Sequence, residues 1–372
     1  MADTFFTFIH SMGFYHLTVG NLIMWGIAFG LMFLAITKGY EPLLLIPIGF
    51  GVFIVNLPLT NLMENHQILH IFYHYGLEWE LIPPIIFLGL GAMTDFGPVI
   101  ANPKTLLLGA AAQFGVYIAF FFALGLGFTI PEACSIGIIG GADGPTTIFT
   151  TVALAPHLLG ATAVAAYSYM ALVPVIQPPI IKMMTTKKER LIRMKQLRPV
   201  SKRQKMVFPL ITCGLVCLFV PASAALMAMF MLGNLFRESG VVERLSGTAQ
   251  NELMNIVTIF LGIAVGGTMS ADAFLTPKAL MVFAMGLVAF SFSTIGGLLL
   301  AKLMNIFSKE KINPMIGAAG VSAVPMAARV VQKMGAAEDP RNFLLMHAMG
   351  PNVAGVIGTV VAAGIFLTMG GQ

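Results

Sequence analysis

Charged residues are scarce in this chain of 372 residues, since Lys, Arg, Asp and Glu together make up only 10% of it. A soluble domain carries about 25% of such residues. Hydrophobic residues account for 57% of the chain, and the mean hydropathy is +0.87. This composition excludes a water-soluble fold.

Cysteine is rare in this chain, and no cleavable leader is expected. The only three cysteines are Cys134, Cys213 and Cys217, and all three fall within apolar runs. Neither a disulfide framework nor a zinc site is expected, because zinc ligands need CxxC-like spacing. Residues 1–11 contain no Lys or Arg and no small-residue cleavage site. The first apolar run is therefore expected to remain as a membrane anchor.

Long apolar runs recur along the whole chain. A run of about 17 to 25 residues is enough to cross the roughly 30 Å hydrocarbon core of a membrane. The runs lie at 21–37, 42–59, 80–97, 104–128, 132–154, 157–181, 206–236, 250–270, 278–306, 312–334 and 341–369. Pro221 either divides the run 206–236 or only kinks it. The sequence predicts an all-α polytopic membrane protein with about eleven spans, or twelve if Pro221 divides that run.

One loop carries most of the positive charge. Residues 182–205 contain ten Lys or Arg and a single acid, Glu189. A basic segment can bind nucleic acid, but between two membrane spans the positive-inside rule is the better interpretation. We therefore expect a cytoplasmic loop in a bacterial inner-membrane protein, with no nucleic-acid partner.

The basic loop divides the chain into two halves that share four landmarks in the same order. The pairs are 87–89 with 260–262, 102–104 with 276–278, 139–142 with 316–319, and His157/Gly160 with His347/Gly350. These landmarks predict an N-terminal span at 1–40, a first repeat at 41–181, the loop at 182–205 and a second repeat at 206–372. Counting 206–236 as one crossing makes the repeats inverted. It also places Lys302, Lys309 and Lys311 outside, against the positive-inside rule.

Each repeat contains an apolar run that is interrupted by glycine and proline. The first interruption, at 138–147, holds three glycines, a proline and one carboxylate, that of Asp143. Such a break frees backbone carbonyls and persists only where protein or a water-filled cavity surrounds it. An intramembrane carboxylate predicts a functional site. With the hydroxyls of Thr146 and Thr147, it offers the oxygen ligands that a sodium ion prefers. The alternative is a structural pairing of Asp143 with a buried cation.

The second interruption, at 313–329, contains two prolines and two glycines. Asn313, Gly317 and Ser322 offer neutral oxygen atoms there. Arg329 is the only charged residue between Lys311 and Lys333, and its planar fork suits a carboxylate. The alternative for Arg329 is a side chain that extends to the membrane interface.

Two further polar residues flank these interruptions. The phenol of Tyr169 is placed to relay a proton or to cap a site, or else it only packs. Asn352 follows a proline near the start of the last apolar run and offers another side-chain oxygen.

Five motifs give the chain a close resemblance to the β subunits of the sodium-pumping, biotin-dependent decarboxylases, which act on oxaloacetate, methylmalonyl-CoA or glutaconyl-CoA. The resemblance extends from about Glu41 to the C-terminus. The motifs are GLGAMTDFGP at 89–98, GGADGPT at 140–146, RESGVVERL at 237–245, GVSAVP at 320–325 and HAMGPN at 347–352.

The resemblance implies that carboxybiotin on a partner protein is decarboxylated here with consumption of a proton, and that this moves sodium outward. It implies sodium coordination by Asp143 and around Asn313, Gly317 and Ser322, with Asn352 as a further ligand. Tyr169 and Arg329, with Asp143, become candidates for proton coupling and catalysis, and Arg329 also for binding the carboxybiotin end.

The implied assembly contains a biotin-carrier protein or domain, a carboxyltransferase α subunit and a small membrane γ or δ subunit, with a homo-oligomer within the complex. The implied fold has two inverted repeats that move in an elevator-like manner. Oxaloacetate members carry a long insertion where this chain has only 58–80, which favours the acyl-CoA decarboxylases.

The rival function is an ion-coupled secondary transporter without decarboxylase activity. A purely structural membrane anchor leaves both polar interruptions unexplained.

Overall fold

The computed structural model describes residue 8 and residues 10–308 and 310–371, and its regular structure is helical. Most of the N-terminal segment 1–11, together with Lys309, lies outside the described residues. Six helical segments are long and apolar enough to cross a membrane. A seventh arises if Ile68–Glu78 and Ile82–Met93, which meet at a bend of 65°, form one span. The chain is thus a polytopic helical membrane protein.

The helices are numbered in chain order. They are α1 Val19–Lys38, α2 Pro42–Val55, α3 Ile68–Tyr73, α4 Ile82–Met93, α5 Gly97–Ala101, α6 Thr105–Ala112, α7 Phe114–Gly125, α8 Ile130–Gly137, α9 Gly144–Leu154 and α10 Leu159–Met184. The second half holds α11 Lys187–Arg190, α12 Lys202–Phe219, α13 Ala224–Ser239, α14 Glu243–Thr248, α15 Met254–Gly267, α16 Ala271–Phe274, α17 Pro277–Phe307, α18 Met315–Ala318, α19 Met326–Glu338 and α20 Leu345–Gly370.

The two ends of the helix bundle are chemically different. One end, here called the basic face, carries the loop 182–205. Several ion pairs fasten this loop to other elements, among them Arg190 with Glu338 at 2.7 Å, Arg193 with Asp339 at 2.6 Å, Lys205 with Asp95 at 2.8 Å and Glu189 with Lys302 at 3.3 Å. The carboxyl ends of α10, α17 and α19 therefore meet at the basic face.

The other end, here called the opposite face, is defined by Asn56, Glu132, His157 and Lys278. The Glu132 side chain is only 5% exposed and lies 2.8 Å from the Lys278 ammonium and 3.0 Å from the His157 ring. α10 begins just after His157 and ends at the basic face. Its 26 residues span about 39 Å at 1.5 Å per residue, so the two faces lie a full membrane thickness apart.

The run 206–236 forms two helices, because Pro221 begins a separate turn between α12 and α13. α12 begins beside Asp95 at the basic face. α13 ends there as well, where Arg237 donates to the Met93 carbonyl at 2.6 Å. Pro221 therefore divides this run into two helices, and the run is not one kinked helix that crosses the membrane once. Lys302 consequently lies at the basic face, as the positive-inside rule requires.

The predicted span 132–154 instead folds back to the face where it starts. A Cβ added at Gly370, at the end of α20, would lie 3.0 Å from Leu154 and 3.6 Å from Cys134. The first and the last part of this run are therefore both adjacent to the end of α20. The turn Ile138–Gly141 and the left-handed backbone of Ala142, with φ 53°, reverse the chain. We call residues 130–154 the first hairpin. It enters from the opposite face.

The predicted span 312–334 also returns, but to the basic face. Asn313 lies at its start and Asn342 lies just beyond its end, and both donate to the carbonyls of Arg190 and Ile192. Between α18 and α19 the chain turns without regular structure, because Gly320 and Pro325 interrupt the helix. We call residues 313–338 the second hairpin.

Candidate functional site

The tips of the two hairpins touch in the interior of the bundle. The Ser322 backbone N–H donates to the Gly141 carbonyl at 2.9 Å. The Ser322 hydroxyl lies 2.7 Å from the Thr359 hydroxyl of α20, and both groups are buried. We call this junction the tip contact. The two interruptions that the sequence singled out thus form one place in the fold.

Asp143 begins α9 at the tip of the first hairpin. Its carboxylate accepts a hydrogen bond from the Thr146 N–H at 3.2 Å, and the residue is 4% exposed. The positive end of the helix dipole stabilises a carboxylate at this position. Among the described residues, no ion pair includes Asp143, so the structure gives no support to its pairing with a buried cation.

Several buried oxygens around Asp143 have unused hydrogen-bonding capacity. Within the described part of the chain, the Thr146 Oγ1, the Tyr167 hydroxyl and the Asn352 Oδ1 find no hydrogen-bond partner. The Asn352 Nδ2 donates to the Val321 carbonyl at 2.6 Å, which places this side chain at the tip contact. Leaving such groups unpaired is costly. One carboxylate and neutral oxygens are a donor set that suits a sodium ion.

Tyr167 is the functional candidate that the sequence analysis missed. Its ring packs against Gly144, where an added Cβ would lie 2.7 Å from the phenol oxygen. Tyr169 points elsewhere, since residues two apart on a helix differ by about 200°. It packs against Gly286 and donates its hydroxyl to the Phe283 carbonyl of α17. The available signal was Gly144, which leaves room for an aromatic ring directly beside Asp143.

We expect Tyr167→Phe to raise the sodium concentration for half-maximal activity by about tenfold, the effect of losing about 1.4 kcal/mol of ligand interaction. The ring and its packing on Gly144 are retained, while the unpartnered hydroxyl is lost. The measurement is sodium-dependent turnover of the purified complex. Tyr169→Phe is the matched control, and its sodium dependence should stay within about twofold of the wild type. Unchanged sodium dependence in Tyr167→Phe would remove this phenol from the site.

Asn313 and Gly317 do not lie at the tip contact. The Asn313 amide donates to the carbonyls of Arg190 and Ile192 at 2.9 Å each, and its Oδ1 accepts from the Met315 N–H at 3.1 Å. It therefore fastens the basic loop to the second hairpin. Gly317 packs against Gly297 of α17, and its carbonyl accepts from the Gly320 N–H at 3.0 Å.

Arg329 lies in α19, between the tip contact and the basic face, and it is exposed. Among the described residues, no ion pair or side-chain hydrogen bond includes it. Its guanidinium is therefore available to an external carboxylate.

Gln113 is a second polar residue that the sequence analysis did not select. It is 6% exposed, its Oε1 lies 3.3 Å from the Thr359 hydroxyl, and its Nε2 lies 3.3 Å from the Gly355 carbonyl. It supports the side of the tip contact that α20 supplies. A glutamine inside the apolar run 104–128 was the signal that could have found it.

Comparison with known proteins gives a consistent result. The sequence profile of the family described as Na+-transporting oxaloacetate decarboxylase beta subunit matches residues 20–370. Methylmalonyl-CoA decarboxylase subunit beta of Propionigenium modestum is 56% identical over 395 aligned positions that cover 100% of both chains. Glutaconyl-CoA decarboxylase subunit beta of Acidaminococcus fermentans is 56% identical over 363 positions, covering 98% of this chain and 96% of that one. The oxaloacetate decarboxylase beta chain of Klebsiella pneumoniae is 51% identical over 420 positions, covering 96% and 97%.

Proposed function

Because this chain belongs to the family of Na+-transporting oxaloacetate decarboxylase β subunits, we propose that it decarboxylates carboxybiotin carried by a partner protein and couples this step to outward sodium transport. In this reaction the bond between the carboxyl carbon and the ureido nitrogen breaks. Carbon dioxide leaves, and the electron pair that remains on the nitrogen takes up one proton. The free energy released drives the ion.

The tip contact is the observation that carries the proposal. A buried carboxylate lies there beside buried hydroxyl and amide oxygens, and none of these groups has a cationic or hydrogen-bonding side-chain partner within the residues that the structure describes. We assign the sodium ion to Asp143, with Asn352 and Ser322 as further ligands. Thr146 and Tyr167 complete the donor set. Asn313 and Gly317 act by holding the second hairpin, although the sequence analysis assigned them as ligands.

The directions of the helices support an inverted repeat. The first hairpin enters from the opposite face and the second from the basic face. α10 runs toward the basic face, whereas α20, which begins with the matching landmark, runs away from it. α1 and α12 likewise run in opposite directions, because Gly20, near the start of α1, lies beside Ala271 at the opposite face, while Lys205, in the first turn of α12, lies at the basic face. We therefore propose that the first repeat includes the span that the sequence set apart as 1–40.

An inverted pair of hairpins that meet at their tips suits alternating access, because each repeat closes the ion path from one side. We propose an elevator-like movement of the hairpins relative to the remaining helices. Tyr169 bonds to the backbone of α17 and so connects α10 to that helix. This makes it a candidate for linking proton uptake to the movement. Arg329 is the candidate for binding the carboxylate of carboxybiotin.

The relatives are named as β subunits or β chains, which implies that other subunits accompany them. We propose a biotin-carrier protein or domain, a carboxyltransferase α subunit and a small γ or δ membrane subunit as partners, with several copies of this chain in one complex. The basic face is then directed toward the cytoplasm of a bacterial cell, and the helix bundle spans the inner membrane. The alignment with the glutaconyl-CoA relative needs 363 positions and that with the oxaloacetate relative 420. The longer alignment agrees with the insertion that the oxaloacetate members carry and this chain lacks. We therefore propose that the partner subunit acts on an acyl-CoA substrate.

The test is carboxybiotin decarboxylation and sodium uptake measured together in inverted membrane vesicles that contain the purified complex. We expect both activities, each dependent on the other. An ion-coupled secondary transporter would move sodium without biotin. Sodium transport that persists when avidin blocks the carrier would therefore contradict the proposal and favour that rival.

A further inference from the structure

One cluster of titratable groups, at the opposite face, takes no part in the proposed sodium site. Glu132 of α8 lies 2.8 Å from the Lys278 ammonium and 3.0 Å from the His157 ring. Its side chain is 5% exposed, whereas those of Lys278 and His157 are 56% and 60% exposed. Lys278 and His157 also line a cavity of about 670 Å³ at this face. A buried carboxylate therefore lies behind two nitrogen groups that reach the cavity.

The two carboxylate oxygens of Glu132 have different partners. Oε2 accepts from the backbone N–H and the hydroxyl of Thr129, at 2.9 and 3.0 Å, and so caps the start of α8. Oε1 accepts from the Lys278 Nζ at 2.8 Å and lies 3.0 Å from the His157 Nε2. A glutamine also forms such a cap, so capping requires only one oxygen. The second oxygen and the negative charge serve the contacts with Lys278 and His157.

Lys278 stands where its own helix disfavours a cation. It is the second residue of α17, which begins at Pro277 after the cap residue Thr276. The positive end of the helix dipole lies there and repels a positive charge. The local pattern therefore gives no reason for a lysine at this position. The carboxylate of Glu132, 146 residues away in the chain, compensates for the unfavourable position.

Glu132 is the polar attachment of α8 to its surroundings. The Ser135 hydroxyl donates to the Pro131 carbonyl at 2.9 Å, within the same helix. Across the described part of the chain, Glu132 is the only side chain of α8 that hydrogen-bonds to another element. The other buried side chains of α8 are small or apolar, and such contacts are not directional. The position of α8 along its axis is therefore set at the Glu132 end.

The tip of the first hairpin is attached to the same helix, α17. The Ser293 hydroxyl donates to the Gly140 carbonyl at 2.7 Å, and both residues are buried. Lys278 and Ser293 are 15 residues apart, which corresponds to about 22 Å along the helix axis. The first arm of the hairpin lies between these two attachments and leads directly to Asp143. α17 thus holds this arm at both of its ends.

We infer that the pairing of Glu132 with Lys278 positions Asp143 by fixing the first hairpin lengthwise on α17. This inference rests on the proposed function, because it concerns the sodium site at the tip contact. A binding site requires its ligands to be held within about 0.5 Å of the productive geometry. Without the pair, α8 shifts along α17 and displaces the Asp143 carboxylate from its position beside Asn352. Glu132 is a positioning residue and not a sodium ligand, because the Lys278 ammonium already occupies the cation position beside it.

A salt bridge that only stabilises the fold predicts a different result. Its loss would lower the unfolding temperature and leave the sodium affinity of the folded protein unchanged. A positioning role predicts a lower sodium affinity in protein that is still folded, with normal use of the carrier protein. The two roles are therefore separated by measuring the sodium dependence and the KM for the carrier in the same variants.

The test uses the purified complex with Glu132→Gln, Lys278→Gln and the double variant. Glu132→Gln keeps an oxygen for the cap of α8 but turns its amide nitrogen toward Lys278. In each single variant we expect the sodium concentration for half-maximal decarboxylation to rise about fivefold, a size typical of coupling between residues in contact. The KM for the charged carrier should stay within about twofold. In the double variant the rise should be no larger than in either single variant, because the same contact is lost only once.

Sodium binding is also measured without turnover, from the increase of the unfolding temperature with sodium concentration. Asp272→Asn is the matched control. Asp272 is exposed and lines the same cavity, and no ion pair among the residues that the structure describes includes it. Its loss removes a carboxylate from the opposite face without touching the attachment of α8, so the sodium dependence should stay within about twofold.

Several results would overturn the inference. Unchanged sodium affinity in both single variants, with a lower unfolding temperature, would reduce the pair to a structural salt bridge. Increases that multiply in the double variant would show that the two residues act independently. An equal increase in Asp272→Asn would indicate only the charge of the cavity.

The double variant decides the question if the single variants do not assemble, because it leaves no unpaired charge. Unchanged sodium affinity in that variant would overturn the inference as well. A wild-type complex that decarboxylates the charged carrier without any need for sodium would instead reject the proposed function.

Discussion

Asp143→Asn is expected to abolish sodium-dependent decarboxylation while the protein still inserts into the membrane. Asparagine keeps the size of the side chain and can still accept the hydrogen bond from the Thr146 N–H. It removes the negative charge that balances a dehydrated cation. Removing one partner of a buried charge pair costs about 3–5 kcal/mol, which corresponds to a loss of about a hundredfold or more.

The measurement for Asp143→Asn is turnover against sodium concentration in the purified complex, with the unfolding temperature as a check on folding. Thr147→Val is a useful comparison at the same hairpin. The Thr147 hydroxyl donates to the Asp143 backbone carbonyl at 2.8 Å within its own helix, and we assign it no place among the sodium ligands. We expect that variant to keep its sodium dependence. Full activity in Asp143→Asn would contradict the sodium site at the tip contact.

Gly317→Ala is expected to lower both stability and activity, because the second hairpin packs directly on the backbone of α17. The new Cβ would lie 2.1 Å from the Gly297 carbonyl oxygen, and backbone cannot rotate away as a side chain does. Overpacking of this kind typically costs about 1–3 kcal/mol. We expect the unfolding temperature to fall by about 1–4 °C.

The reciprocal variant separates packing from ion binding. A Cβ at Gly297 would lie 2.0 Å from the Gly317 carbonyl oxygen, so Gly297→Ala should have a similar effect on the unfolding temperature. Gly26→Ala is the control, because no atom lies within 4 Å of its added Cβ and helix propensity favours alanine. A stable Gly317→Ala protein with altered sodium affinity would instead support Gly317 as a backbone ligand.

The four sequence landmarks predict which parts of the two halves correspond, and this correspondence stays a prediction. The structure adds the directions of the helices: α10 and α20, each of which begins near one member of the same landmark pair, run in opposite directions. Hydropathy did not reveal the two hairpins, because it measures how apolar a segment is and not whether the segment returns. The runs 132–154 and 312–334 are mostly apolar, and their reversal depends on a few glycines and prolines at the tips.

The sequence by itself determined the membrane character, the polarity of the basic loop and the importance of the two interruptions around Asp143 and Ser322. These follow from composition and local pattern, since a charge or a helix break within an apolar run is costly wherever the chain goes. Only the tertiary structure decided which polar groups meet. Tyr167 and Tyr169 are only two positions apart, but the helix turns one toward Asp143 and the other toward α17. Asn313 and Ser322 lie in one interruption, but the hairpin carries the first to the basic loop and the second to the tip contact. Such partners are set by the packing of distant segments, and no local pattern in the sequence encodes that packing.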